Sequence, residues 1–112
     1  MSDALIPSFK QPIRINQTVA QLNKDLISTG CEVKWSGNIP EAYHEITAQL
    51  EYIAQYLDKT NSQSFNAWLY RVDITERILK KIASGHHFYS NLAKAVLERT
   101  FIKIALRDSF KG

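Results

Sequence analysis

One cysteine, three prolines and four glycines are scattered through 112 residues. With Cys31 alone, no intramolecular disulfide can form, and any metal site would rest on histidines and carboxylates. So few prolines and glycines leave few breaks, which favours a handful of long elements over many short strands. No stretch approaches the roughly 18 consecutive apolar residues of a membrane span. The opening Met1-Ser2-Asp3-Ala4-Leu5-Ile6-Pro7 has neither a basic run nor a long apolar one, so it does not read as an export signal. Cytoplasm is the expected location. The glycines stand apart at 30, 37, 85 and 112, so there is no phosphate-cradling loop. Internal repeats and low-complexity tracts are also lacking. What is present, 45% apolar and 22% charged residues, is the composition of one ordinary globular domain.

Residues 1–14 are expected to form an extended arm, because Pro7 and Pro12 each disfavour helix in the residue before them. Leu5, Ile6, Phe9 and Ile13 make that arm apolar, so it should dock on its own body or on a second copy. A single helical domain is expected over residues 15–112. Its first helix is predicted over residues 16–29. Ile15, Val19, Leu22 and Leu26 share one face, Asn16 is placed as N-cap and Gly30 as the left-handed residue that stops it. Residues 31–35 alternate apolar and polar, the period of a strand. With no second strand to pair with, they are expected to be an extended linker that buries Val33 and Trp35. An edge strand pairing across a dimer is the alternative.

The second helix is expected over residues 40–58. Ile39, Tyr43, Ile46, Leu50, Ile53 and Leu57 are spaced 4, 3, 4, 3, 4, an a/d seam with a polar opposite face of Gln49, Gln55 and Lys59. Residues 64–83 are helical with a break at Asp73, which with Glu76 fits a capping box and would start a new helix. One continuous helix with a polar pair on its surface is the other possibility. After Ser84-Gly85-His86-His87, a last helix is predicted over residues 90–109. Leu92, Val96 and Ile102 lie on one side of it, and Ala93, Leu97, Phe101 and Ile104 on another. Such a helix is central in a bundle or shared between subunits. The fold class expected is all-α, a four- or five-helix up-down bundle with an extended N-terminal arm.

Charge is unevenly spread. Residues 1–60 hold five Lys/Arg against seven Asp/Glu; residues 61–112 hold nine against four. Within the basic half, Arg99, Lys103, Arg107 and Lys111 recur at intervals of four, nearly one helical stripe, with Lys94 in line and Arg77, Lys80 and Lys81 as a second cluster. A stripe of this kind can track phosphates. It is also what keeps a bundle soluble. Helix-turn-helix is a poor match, since the last helix is too apolar to present a recognition face.

Catalytic signatures are weak. His86 and His87 are adjacent and would point apart, and His44 lacks a ligand one turn on, where Ala48 stands. Glu41, Glu45 and Glu51 lie on a helix that reads as solvated, and Asp73 and Glu76 have a capping role. Cys31 alternates with buried-type residues and reads as an inert core thiol. No metal, cofactor or catalytic residue is assigned.

The run Leu69-Tyr70-Arg71-Val72-Asp73-Ile74-Thr75-Glu76, followed by Leu92-Ala93 and Glu98-Arg99, resembles small uncharacterised bacterial all-helical proteins. The resemblance covers the C-terminal half. It implies a helix junction built on an Arg–Asp pair, Arg71 with Asp73, and no biochemical activity. The leading functional expectation is a non-enzymatic domain that associates with itself or with another protein, because the arm, the seam and the last helix together carry more apolar surface than one small bundle needs. The alternative is a nucleic-acid-binding module using Arg99, Lys103, Arg107 and Lys111. A helical enzyme, the third class, would need a polar pocket with converging histidines or carboxylates.

Overall fold

The computed structural model describes residues 9–110, with Phe110 described in its backbone alone. Expectations for residues 1–8 and for Lys111 lie outside the described residues. Five α-helices and one 3-10 turn account for 77% of the described residues, and among these there is no strand. The class is all-α.

Helix α1 is Pro12–Leu26, so it begins inside the segment expected to be extended. Proline restrains the residue before it: Gln11 is extended (φ −90°, ψ 121°) and serves as N-cap. Pro12 itself has a φ suited to the first helical turn, where its missing N–H is no loss. Asn16 is therefore an exposed residue of the helix interior and not its cap. Phe9, just ahead, is buried edge-to-face on Phe101 with ring centroids 5.7 Å apart. The described end of the arm thus docks on its own chain. A 3-10 turn, Ile27–Thr29, tightens the end of α1, and Gly30 at φ 78° stops it as expected.

Residues 31–36 run extended between α1 and α2, which spans Ala42–Thr60. Side chains do here what a neighbouring strand would do. The Asn23 amide donates to the Val33 carbonyl (2.9 Å) and accepts from its N–H (2.7 Å). From the other side, the Gln49 amide donates to the Lys34 carbonyl (2.7 Å) and accepts from its N–H (2.9 Å). Glu45 accepts from the backbone N–H and the hydroxyl of Ser36 (2.6 and 2.8 Å). Val33 is buried, as expected, while Trp35 is half-buried with its indole N–H on the Asn38 carbonyl. With the peptide groups of Val33 and Lys34 already paired, an edge strand at those residues is not available.

Helix α3 is Ser62–Val72 and α4 is Glu76–Ala83, so the break at Asp73 is real. Its chemistry differs from the capping box expected. Asp73 is the left-handed residue that ends α3 (φ 70°, ψ 40°). Its N–H reaches the Tyr70 carbonyl and the Ile74 N–H the Leu69 carbonyl, the paired bonds of a Schellman motif. Thr75 is the true N-cap of α4, accepting from the Ile78 N–H at 3.3 Å. Aspartate tolerates left-handed backbone better than most residues, and placing it there lets Ile74 bury its side chain.

Helix α5, Phe88–Phe110, contacts every other α-helix, most extensively α2. Leu92, Ala93, Ala95, Val96, Leu97 and Ile104 are all buried. Its apolar circumference is thus absorbed within the chain, leaving Ile102 and Leu106 as the exposed remainder. The seam of α2 (Tyr43, Ile46, Leu50, Ile53, Leu57) is buried throughout, and Trp68 of α3 is fully enclosed. The Cα radius of gyration, 13.5 Å, is that of a compact domain this long.

Candidate functional site

The basic stripe does not stand free. Arg99 binds Asp73 (2.5 Å), and the Lys103 ammonium donates to the Arg71 carbonyl (3.1 Å). Lys103 therefore sits at the negative end of the α3 dipole and satisfies one of its last carbonyls. Two stripe residues of α5 thus clamp the junction between α3 and α4. Arg107 is exposed and Lys111 lies outside the described residues.

The junction pair expected from Arg71 and Asp73 is likewise rearranged. Both residues are at the junction, but each serves a different neighbour. Arg71 donates to the Asp25 carbonyl of α1 (3.3 Å), and Asp73 takes Arg99. An Arg–Asp pair does fix the junction; its arginine comes from α5. A left-handed Asp73 turns its carboxylate away from the helix that carries Arg71, which is information no local spacing contains.

His86 and His87 are exposed, with rings 6.4 Å apart, and His44 lies against Tyr43 on α2. Among the described residues no three His, Cys, Asp or Glu side chains come together to hold a metal ion. Cys31 is half-buried. No helix of the described residues is long and apolar enough to cross a membrane.

Hollows on the surface of the described residues include four of note. One, of about 460 Å³, lies between α4 and α5, with a floor of Ile78, Ile82 and Ala95 and a rim of Lys81, Asn91, Glu98 and Arg99. A second, about 640 Å³, opens beside the α3–α4 junction along Tyr70, Asp73, Glu76 and Lys103. The third, about 230 Å³, is apolar, between Phe9, Ile39, Pro40 and Tyr43. The fourth, about 480 Å³, follows α2 along Ala48, Gln49, Tyr52 and Ile53, with Cys31 and Glu32 as its far wall. None of the four is lined by a histidine.

Beside the fourth hollow lies the feature that sequence reading missed. Tyr52 and Tyr56 are 70% and 48% exposed, and their rings stack at 6.4 Å with planes 12° apart. They lie outside the seam of α2, on the side where Gln49, Gln55 and Lys59 were expected to make a polar face. The signal was available. Both tyrosines fall outside the a/d seam and stand four apart, so they share a face that the seam does not bury. Gln49, assigned to that same polar face, is the clamp on Lys34.

Comparison with protein-family models, with curated proteins and with solved structures finds no match. The architecture is that of an all-α helical bundle, and its surface chemistry carries the functional reading that follows.

Proposed function

We propose that this chain is a non-enzymatic helical interaction domain whose partner is a second copy of itself. The supporting observation is the stacked, solvent-facing pair Tyr52 and Tyr56 beside the hollow at Cys31 and Glu32. Tyrosine is enriched at protein interfaces because it offers a large rigid surface with little rotamer entropy to lose. A lone exposed apolar residue needs no explanation, but two aromatic rings held in register on one rigid helix form a preorganised patch. A homodimer uses such a patch twice. Sedimentation velocity across a wide concentration range tests the proposal. A reversible dimer is the expected result, and a monomer at every concentration overturns it.

Nucleic acid is the second reading. It draws on α4, where Arg77, Lys80 and Lys81 are exposed and make no ion pair among the described residues. With Arg99 and Lys103 engaged in the fold, the stripe on α5 adds chiefly Arg107. Binding of this kind weakens steeply with salt. Titration of a labelled duplex and a labelled single strand at low and moderate salt decides it, and no binding at low salt ends it.

A further inference from the structure

We infer that two copies pair through α2, antiparallel, about a two-fold axis passing at Tyr52. The inference rests on the self-association proposed above and adds to it a face, an orientation and a register.

Along the side of α2 away from its seam, the half-buried Glu45 and the exposed Ala48, Tyr52, Tyr56 and Lys59 follow one another at spacings of 3, 4, 4 and 3. Such spacings keep them on one helix stripe. The series reads the same from either end, with Tyr52 at its centre. An antiparallel partner on a two-fold axis at Tyr52 therefore sets each residue against its mirror position. Ala48 then faces Tyr56, a small side chain against a large one, on both sides of the axis. Glu45 faces Lys59, opposite charges, again on both sides. Tyr52 meets its own copy.

A parallel pair in the same register fails on each count. It sets Glu45 on Glu45 and Lys59 on Lys59, crowds the two Tyr56 rings and leaves a gap between the Ala48 methyls. The complementarity in charge and in size thus selects a second copy in one orientation. Glu45 is already oriented, its two oxygens held by the Ser36 N–H and hydroxyl. The Tyr52 and Tyr56 rings are stacked before any partner arrives. A preorganised face loses less entropy on binding.

The test uses the full chain with Cys31→Ser, which removes the only native thiol. Tyr52→Cys in that chain is expected to cross-link to its own copy with a short bis-maleimide. Thr60→Cys carrying a spin label is expected to give a backbone separation of about 25 Å, from eight residues on each side of the axis and one interhelix spacing. In an otherwise unaltered chain, Tyr52→Glu is expected to weaken the dimer about a hundredfold with circular dichroism unchanged, since the side chain is exposed in the monomer. A wild-type chain that is monomeric throughout removes both proposals. A wild-type dimer that survives Tyr52→Glu and does not cross-link at Tyr52→Cys overturns the α2 interface alone, and leaves self-association to another face such as Ile102 and Leu106. A label separation near one interhelix spacing, about 10 Å, overturns the antiparallel orientation.

Discussion

Asn23 and Gln49 hold the extended segment in place of a second strand, and their contributions should differ because their surroundings do. Val33 is buried, so Asn23→Ala strands a peptide N–H and a carbonyl away from water. The expected loss is about 1–3 kcal/mol. Lys34 is exposed, so water can replace Gln49 and Gln49→Ala should cost under about 1 kcal/mol. Urea unfolding of the two variants checks this, and equal losses would mean that Val33 is not sealed. Tyr89 gives a second expectation. Its hydroxyl donates to Asp58 at 2.7 Å. That hydrogen bond, then burial, then the charge of Asp58 hold its pKa above the ordinary tyrosine value. The folded chain therefore binds this proton more tightly than the unfolded chain does. The resulting stabilisation is complete below the unfolded tyrosine pKa of about 10 and is lost as pH rises through the folded value. Relative to Tyr89→Phe, the wild type should lose its advantage as pH climbs above about 10, read by unfolding free energy against pH. A constant difference across that range would refute the assignment.

Four helix ends in the bundle are set by local devices, two of them left-handed residues that close a helix. Pro12 opens α1, Gly30 closes its terminal turn, Asp73 closes α3 and Thr75 opens α4. Thr75→Ala removes the acceptor for the Ile78 N–H and should cost about 1 kcal/mol. Asp73→Asn keeps a residue that tolerates left-handed backbone. It removes one charge from an ion pair whose side chains are 35% and 56% exposed, worth no more than about 1 kcal/mol. A Thr75→Ala variant that unfolds at the wild-type temperature would overturn Thr75 as the cap of α4. Both devices act on the same junction, where Lys103 also caps α3 from the neighbouring α5. Substitutions there should be coupled rather than additive.

At the scale of the whole molecule, α5 is the organiser. It touches all the other α-helices, and Arg14 of α1 reaches Asp108 near its far end at 2.6 Å. Because α5 is mostly covered from within, the proposed self-association is assigned to a surface that the bundle leaves open, the face of α2 that carries the exposed Tyr52 and Tyr56. If the chain dimerises, the melting temperature should rise with protein concentration, since a partner that binds only the folded chain stabilises it by mass action. The Tyr52→Glu variant should lose that concentration dependence while melting cooperatively. A melting temperature that does not move over a hundredfold range of wild-type concentration would argue for a monomer.

Periodicity placed the body of each helix and the buried seam of α2, while Gly30 and the spacing of Asp73 and Glu76 marked a stop and favoured a break over one continuous helix, because each depends on neighbours within a turn or two; the start of α1 at Pro12 was not foreseen. Periodicity also marked α5 as a helix that has to be surrounded, within a bundle or between subunits, and the tertiary structure surrounds it within the chain. Tertiary structure alone decided what each exposed-looking group faces. The cations Arg99 and Lys103 read as a free stripe until α3 is laid beside α5 and takes them both. The Arg71–Asp73 pair read as local until the left-handed turn at Asp73 sent the carboxylate to α5. Residues 31–35 read as a strand without a partner until side-chain amides from α1 and α2 closed on them. A helical repeat fixes which residues share a face, but what lies across from that face is set by chain separated by dozens of residues, and local spacing carries no record of it.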